Sequence, residues 1–372
     1  MALAPLTDLP PTPRVVLDRA RLQANVDRMA ATAAERGQAL RPHAKTHKCP
    51  QVAALQLAAG AVGLTVATLG EAEAFAEAGC GDLLIAYPVW WTSDQAWRAA
   101  ELATRVRLAV GVDSVEGVQH LAELWQVPRG RTREPAAGPV ALPELVVEVD
   151  SGHHRSGCAP QEARAVARAG IETGFVVRGL FTFPGHSYTP AGRREVVRQE
   201  ADAVAEAARG LRAAGVPTPH VSGGSTPSVA LEEAGFDELR PGVYVFGDAQ
   251  QWELGTCAPQ DIALTVHSTV VSHAGGRLVL DAGSKALGAD RAGWATGFGR
   301  LLDHPGARIE VLSEHHAVAV LPDGEPLPPR GSVVRVVPNH VCNAVNLAEE
   351  LLVADDGVVT ERWPVAARGR NS

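Results

Sequence analysis

Apolar residues recur along this chain with two alternating periods. Val15-Val16-Leu17 is a short apolar run closed by Asp18, and Arg19–Arg36 places Leu22, Val26, Met29 and Ala33 on one helical face before Gly37 stops it. From there short runs of strand character follow at regular intervals: Ala39–Ala44, Gly63–Ala67, Leu83–Tyr87, Arg105–Val110, Leu145–Val149, Arg178–Phe183, Pro219–Ser222 and Val243–Phe246. Between them the spacing predicts helices over Cys49–Ala59, Leu69–Ala78, Ser93–Ala103, Val115–Trp125, Ala159–Thr173, Ala191–Ala214 and Pro227–Ala234. Eight strands separated by helices predict an α/β fold with a parallel sheet, closed as a (β/α)8 TIM-type barrel; an open doubly wound sheet is the alternative. Pro128–Pro143, rich in Pro, Gly and Arg, reads as a surface excursion within the barrel.

After Gly255 the period shortens. Ile262–His273, Arg277–Leu280, Arg308–Leu312, His316–Leu321, Ser332–Val337, Leu351–Ala354 and Gly357–Trp363 alternate and are parted by turn signals such as Asp355-Asp356-Gly357. The pattern divides the chain into a barrel over 20–255 and a C-terminal β-rich domain over 256–372, whose sheet the strand at 14–18 is expected to join.

The 372 residues are 46% hydrophobic and 20% charged, enough to bury a large core. A formal net charge of −8 argues against a general binder of nucleic acid or anionic membrane. Five scattered cysteines imply no disulfide framework and fit a reducing cytoplasm. Met1–Pro13 lacks the basic and apolar regions of a signal peptide, and no apolar run is long enough to span a membrane.

In a TIM-type barrel the chemistry gathers at the C-terminal ends of the strands. Lys45 would stand there, in Arg41-Pro42-His43-Ala44-Lys45-Thr46-His47-Lys48, crowded in sequence by two histidines and two further cations. Neighbouring positive charge and burial both favour a neutral amine, suited to Schiff-base chemistry; a solvated basic loop is the plainer reading. Asp150–Gly157 would follow the fifth strand and Phe183–Tyr188 the sixth. Ser222–Ser228, which includes Gly224, Ser225 and Thr226, would follow the seventh and offers amides and hydroxyls to a phosphate, or is an ordinary capped turn. Gly242 could supply a second close backbone approach. His340 and Cys342, read as two positions of one extended segment, would point the same way and pair an imidazole with a thiolate, a donor set suited to zinc. His316 could add a ligand. Cys49, Cys80 and Cys257 read as small buried hydrophobes, Trp90-Trp91 as packing or an interface patch, and Lys285 as a solvated lysine.

These motifs together resemble the pyridoxal-phosphate-dependent D-serine dehydratase / D-threonine aldolase family, fold type III enzymes with an alanine-racemase-like N-terminal barrel. The resemblance runs from about Val15 to the C-terminal Ala-Arg-Gly. It rests on Arg-Pro-His-Ala-Lys-Thr-His-Lys, Asp-Ser-Gly-x-x-Arg-x-Gly, Gly-His-Ser-Tyr, Gly-Ser-Thr-Pro-Ser, Arg-Pro-Gly-x-Tyr-x-Phe, Asp-Ala-Gly-Ser-Lys and Pro-Asn-His-x-Cys, seven motifs in family order. It implies that Lys45 is the Schiff-base lysine and the base at the substrate's α-carbon, and that Arg155 contacts the cofactor's phenolic oxygen. Ser225, Thr226, Gly242 and Val243, with Gly224, match the phosphate cup; His186, Tyr188 and Tyr244 match positions at the cofactor or substrate. His340 and Cys342 match ligands of a divalent metal, with zinc expected and Mn2+ or Mg2+ as alternatives. A homodimer acting on a small D-amino acid, with both subunits at the site, comes with the resemblance.

His-x-Cys and Gln250 lean towards the dehydratase branch, D-serine to pyruvate and ammonia. Retro-aldol cleavage to glycine and an aldehyde is the alternative, followed by a racemase or a non-catalytic cofactor-binding protein. Two departures from the family pattern, Phe183 in place of a hydroxylated aromatic and Ser313-Glu314-His315-His316-Ala317, bear on substrate choice.

Overall fold

The computed structural model describes residues 6–126, 141–231 and 235–372. Residues 128–140 of the expected Pro128–Pro143 excursion, and 232–234 of the expected helix Pro227–Ala234, lie outside the described residues. The strands in chain order are β1 (Arg14–Asp18), β2 (Ala39–Leu40), β3 (Leu64–Val66), β4 (Asp82–Pro88), β5 (Arg107–Val112), β6 (Glu144–Val149), β7 (Val177–Thr182), β8 (His220–Gly223), β9 (Glu238–Leu239), β10 (Leu264–Ser272), β11 (Leu278–Leu280), β12 (Gly299–Leu301), β13 (Arg308–Leu312), β14 (Ala317–Val320), β15 (Val333–Pro338), β16 (Glu350–Asp355) and β17 (Val358–Pro364). They fall into two compact units, and the units do not follow one cut in the chain. One comprises Thr32–Lys45, Gly60–Pro241 and Arg370–Ser372; the other takes the N-terminal residues up to Ala31, Thr46–Ala59 and Gly242–Gly369.

The first unit is an eight-stranded parallel sheet in the order β2-β9-β8-β7-β6-β5-β4-β3. Its two ends meet. Val62 donates its N–H to Leu40 O and Thr65 to Pro42 O, each at 2.9 Å, and His43 bridges Thr65 in parallel. The closed sheet is the TIM-type barrel that eight βα repeats predict. Leu84, Ala86, Ala109, Val146 and Phe181, alternate residues of β4 to β7, pack into one buried cluster. A Cβ on Gly111 would lie 2.9 Å from the Phe181 ring, so the phenyl occupies the space that a larger β5 residue would fill.

The starts of the strands carry charge instead. Arg41 is fully buried, with Nε 2.8 Å from Glu238 and Nη1 2.7 Å from Asp82, while Arg107 pairs with Glu144 at 3.0 Å. Arg178 stands 3.8 Å from Glu238. Arg41 and Arg178 thread apolar stems into the bottom of the barrel and meet carboxylates where little water reaches, whereas the Arg107 pair is exposed.

The second unit is a nine-stranded mixed sheet. β1 lies antiparallel to β10, with Leu17 opposite Leu264, and parallel to β16. Its core brings together Leu17, Leu22, Val52, Phe246, Leu264, Val336, Leu351 and Trp363.

The expected eighth strand needs correction. The eighth barrel strand is Glu238–Leu239, not Val243–Phe246. The latter run begins as a 3-10 turn, Val243–Val245, and buries its side chains in the core of the second unit. Burial explains both halves of the error: Val243–Phe246 is apolar because it is core, and Glu238 disguises a strand because its carboxylate is matched internally by Arg41. β12, with glycine first and arginine second, gave no alternating signal.

Candidate active site and metal pair

Parallel strands send every following loop to the same end of the barrel. β2 is short, and Lys45 belongs to a 3-10 turn, Ala44–Thr46, rather than to a strand end. The His43–Thr65 bridge, two residues before Lys45, ties the start of this turn to β3. The charged neighbours that seemed to crowd Lys45 have partners of their own. Arg41 is committed to Glu238 and Asp82, and Lys48 donates to Asn346 Oδ1 at 2.7 Å. Burial lowers the His47 imidazole to about 4, so it is neutral.

What does stand near Lys45 is Phe183. The lysine Nζ lies 5.5 Å from the ring centroid, and the Arg155 guanidinium is over the same ring at 4.9 Å. His153 meets Phe183 edge-on at 5.7 Å, and Tyr188 is tilted against it at 6.3 Å. His186 stacks on His153 at 6.3 Å. Thus Lys45, Arg155, His186 and Tyr188, chosen from three separate stretches, gather around one phenyl ring. His153 joins them; adjacency to His154 gave no reason to choose between the two.

The Arg155 loop is held by Asp150. Its Oδ1 accepts the N–H groups of Gly152 at 2.9 Å and His154 at 3.0 Å, and Oδ2 lies 2.6 Å from His154 Nδ1. Burial opposes the charge, but these donors keep the carboxyl below its ordinary range. Gly157, at φ +99°, admits the chain so close to Asp150 that a Cβ would stand 2.6 Å from its nitrogen.

In the turn after β8, Ser225 shares its hydroxyl with Ser187 at 2.9 Å and caps Thr226–Val229 through Ser228. Two amides expected for a phosphate are engaged internally: Gly224 N–H donates to Glu200 at 2.9 Å and Ser225 N–H to Ser228 Oγ at 2.7 Å. Gly224 reverses the chain at φ +79°, and the four-residue helix is too short for much of a dipole. Glu200 comes from the helix Arg193–Ala214, where nothing in the sequence marks it. Polar atoms remain to be met in these loops. His186 Nδ1, and Glu148 Oε2 at the end of β6, are buried without hydrogen-bond partners among the described residues. The Lys45 amine, His186 and the Ser225 and Thr226 hydroxyls could hold a polar, anionic cofactor.

In the second unit Gly242 leads into the turn that carries Val243 and Tyr244. The buried Tyr244 hydroxyl accepts from Gln56 Nε2 at 3.0 Å, and burial raises its pKa. His340 and Cys342 are not two positions of a strand. His340 is the N-cap residue and Cys342 lies in the first turn of the helix Val341–Leu347. Asp248 accepts the N–H of Val341 at 3.2 Å and of Gln251 at 2.8 Å, binding two helix starts with one carboxylate. Cys342 Sγ lies 3.3 Å from Thr46 Oγ1. His340 Nδ1 is bonded to Asp290 Oδ2. Burial alone would lower the His340 pKa, but Cys342 and Asp290 together raise it. One nitrogen and one sulfur donor could hold a borderline-soft divalent cation, whose other positions water or substrate would fill. His316 lies on the exposed turn between β13 and β14, and no group of three or more His, Cys, Asp or Glu side chains could hold a metal among the described residues. Lys285 is exposed and 3.5 Å from Glu314.

A parallel barrel with a lysine at its mouth, joined to a β-domain with an imidazole–thiol pair, sets the class of enzyme, and comparison with known proteins narrows it. Residues 17–250 match the alanine racemase N-terminal domain and residues 263–354 a putative serine dehydratase domain. The chain is 36% identical to a D-threo-3-hydroxyaspartate dehydratase of Delftia sp. (strain HT23), over 94% of this chain and 96% of the relative. It is 34% identical to a D-threonine aldolase of Arthrobacter sp, over 96% and 93%. The solved D-threonine aldolase from Filomicrobium marinum superposes with a TM-score of 0.84 at 30% identity, covering 99% of each chain. A D-threo-3-hydroxyaspartate dehydratase with one cysteine replaced by alanine, solved in the metal-free form, gives 0.84 at 33% identity, over 95% and 97%. The chain belongs to the pyridoxal-phosphate-dependent D-serine dehydratase / D-threonine aldolase family of D-amino-acid lyases. No helix among the described residues is long and apolar enough to cross a membrane.

Proposed function

We propose that this protein is a pyridoxal-phosphate- and divalent-metal-dependent dehydratase of D-β-hydroxy-α-amino acids, converting D-serine or a β-substituted relative to a keto acid and ammonia. The observation that carries the reading is the gathering of Lys45 and Arg155 over Phe183 at the mouth of a barrel of this family. Lys45 would hold the cofactor covalently. With the substrate's amine in its place, Lys45 Nζ would be the base that removes the α-proton. Within the barrel unit, Arg155 would keep a positive charge against the cofactor's phenolic oxygen, Ser225 and Thr226 would anchor its phosphate, and His186 and Tyr188 would line the space for substrate. His340 and Cys342 hold the cation, zinc by donor softness, which directs the β-hydroxyl. Bound in these places, the cofactor supplies an electron sink and the cation a Lewis acid.

The active species in this reading is a cytoplasmic homodimer, in keeping with five free cysteines. Retro-aldol cleavage is the second reading, favoured by the 34% identity to a D-threonine aldolase. The same side chains serve both reactions, which differ in whether the Cβ–O or the Cα–Cβ bond breaks. Purified protein with cofactor and zinc would be offered D-serine, D-threo-3-hydroxyaspartate and D-threonine in turn. Keto acid with ammonia is the expected product pair; glycine with an aldehyde would move the chain to the aldolase branch.

A further inference from the structure

A side chain that lies fifty residues from the His-x-Cys motif gives that motif its orientation. Asp290 Oδ2 accepts the Nδ1 proton of His340. The loop bearing Asp290 is tied to residues on both sides of the histidine: Asn339, itself buried, donates its Nδ2 to Asp290 O at 3.0 Å, and the Asn343 side chain bonds the Asp290 carboxylate. Gly288, two residues before, lies so near that a Cβ would stand 2.8 Å from Asn343 Cβ. The helix start is fixed independently by Asp248. Other histidines of this chain also meet carboxylates, His154 with Asp150 and His304 with Glu325. The His340 pairing is accompanied by contact between the same ring and a thiol, that of Cys342.

We infer that Asp290 is the positioning residue of the metal pair. By engaging Nδ1 it fixes the tautomer and rotation of the His340 ring, and leaves the Nε2 lone pair for the cation beside Cys342 Sγ. A carboxylate in this relation raises the basicity of the ligating nitrogen and removes the rotational freedom the ring would lose on binding metal. The inference rests on the reading of His340 and Cys342 as metal ligands, and it adds a third residue that never touches the metal.

The test uses purified protein carrying pyridoxal phosphate, with Zn2+ affinity measured by competition against a chromophoric chelator and the cysteine–Co2+ charge-transfer band recorded after cobalt substitution. Asp290→Ala should weaken Zn2+ binding by about 10- to 100-fold and shift the cobalt band. Asp290→Asn, which keeps an acceptor oxygen, should recover part of the affinity. The thermal midpoint of the metal-free protein should stay at the wild-type value in both. Wild-type Zn2+ affinity and an unchanged cobalt band in Asp290→Ala would overturn the inference. His340→Ala and Cys342→Ala locate the fault: if they abolish binding while Asp290→Ala does not, only the role of Asp290 falls. If they too bind Zn2+ normally, the metal reading falls with it.

Discussion

Glu200 reaches from the helix Arg193–Ala214 to accept the amide hydrogen of Gly224 at 2.9 Å. The carboxyl is buried, and burial lifts its pKa to about 8, against the opposing pull of the Gly224 amide and Arg240. The acid is therefore protonated in the folded protein at pH values where it would ionise in the unfolded chain. Because the folded pKa is the higher one, the stability it contributes is complete below about pH 4.5 and is lost as pH rises towards 8. Urea titrations at pH 5 and pH 8.5 should show wild type weakening by on the order of a few kcal/mol more than Glu200→Gln, which can accept the same hydrogen without ionising. Parallel pH dependence in the two proteins would contradict the assignment. Glu200→Leu strands the Gly224 amide and should cost about 1–3 kcal/mol relative to Glu200→Gln at both pH values.

At the other end of the barrel, Arg41 supports Glu238 and Asp82 at 2.8 and 2.7 Å. Burial opposes the Glu238 charge, but His220 and Arg41 overcome it and hold the carboxyl well below the usual range. Its contribution is thus present above the ordinary carboxylate pKa and disappears as pH falls below it. Arg41→Met removes one partner and leaves a buried carboxylate, with Arg178 3.8 Å away. A loss of roughly 3–5 kcal/mol in chemical denaturation is expected, with acid unfolding moved to higher pH. A loss below 1 kcal/mol would mean that Arg178 and His220 suffice.

Gly179, in β7, has no room for a side chain: an added Cβ would stand 2.0 Å from His220 O, in the backbone of β8. Gly179→Ala should therefore force β7 and β8 apart and fall at or beyond the upper end of the roughly 1–3 kcal/mol that overpacking costs. Thermal unfolding followed by circular dichroism would register it; an unchanged midpoint would show that the strands slide freely.

Lys45→Ala should lose both the cofactor's visible absorbance and all turnover, since among the described residues no other amine accompanies Lys45 and Arg155 over Phe183. Chelation should act differently. With His340 and Cys342 as ligands, removal of metal should suppress turnover while leaving the cofactor spectrum in place. Cofactor release by the chelator, or full metal-free activity, would refute the separation of roles.

The barrel was legible in the sequence because its strands are buried on both faces and read as short apolar runs, with β4, β6 and β7 found within two residues of their ends. Reading failed where charge was buried in pairs. Glu238 looked like surface because nothing in its neighbourhood announces Arg41, some two hundred residues away. The site was legible as candidates and not as geometry. Lys45 and Arg155 carry chemistry in their side chains, whereas Phe183, the ring both approach, was noticed only for a missing hydroxyl. His340 and Cys342 were paired by an extended-chain argument, and the structure pairs them through a helix start. Asp290 and Glu200 act through partners distant in the chain, and no spacing rule connects residues fifty or twenty-four positions apart.

The placement of β1 has a consequence for the order of events on the ribosome. Leu17 pairs with Leu264 and Val16 with Leu352, so β1 leaves the exit tunnel long before either neighbour exists. At about 5–20 residues per second, the gap of about 250 residues to β10 keeps it waiting for tens of seconds. During that interval the parallel strands β2 to β9 emerge and can close on one another. The nascent chain must therefore hold an apolar segment, Arg-Val-Val-Leu-Asp, unpaired while the barrel forms, and the barrel, once its ends have met, offers that segment no open edge on which to pair.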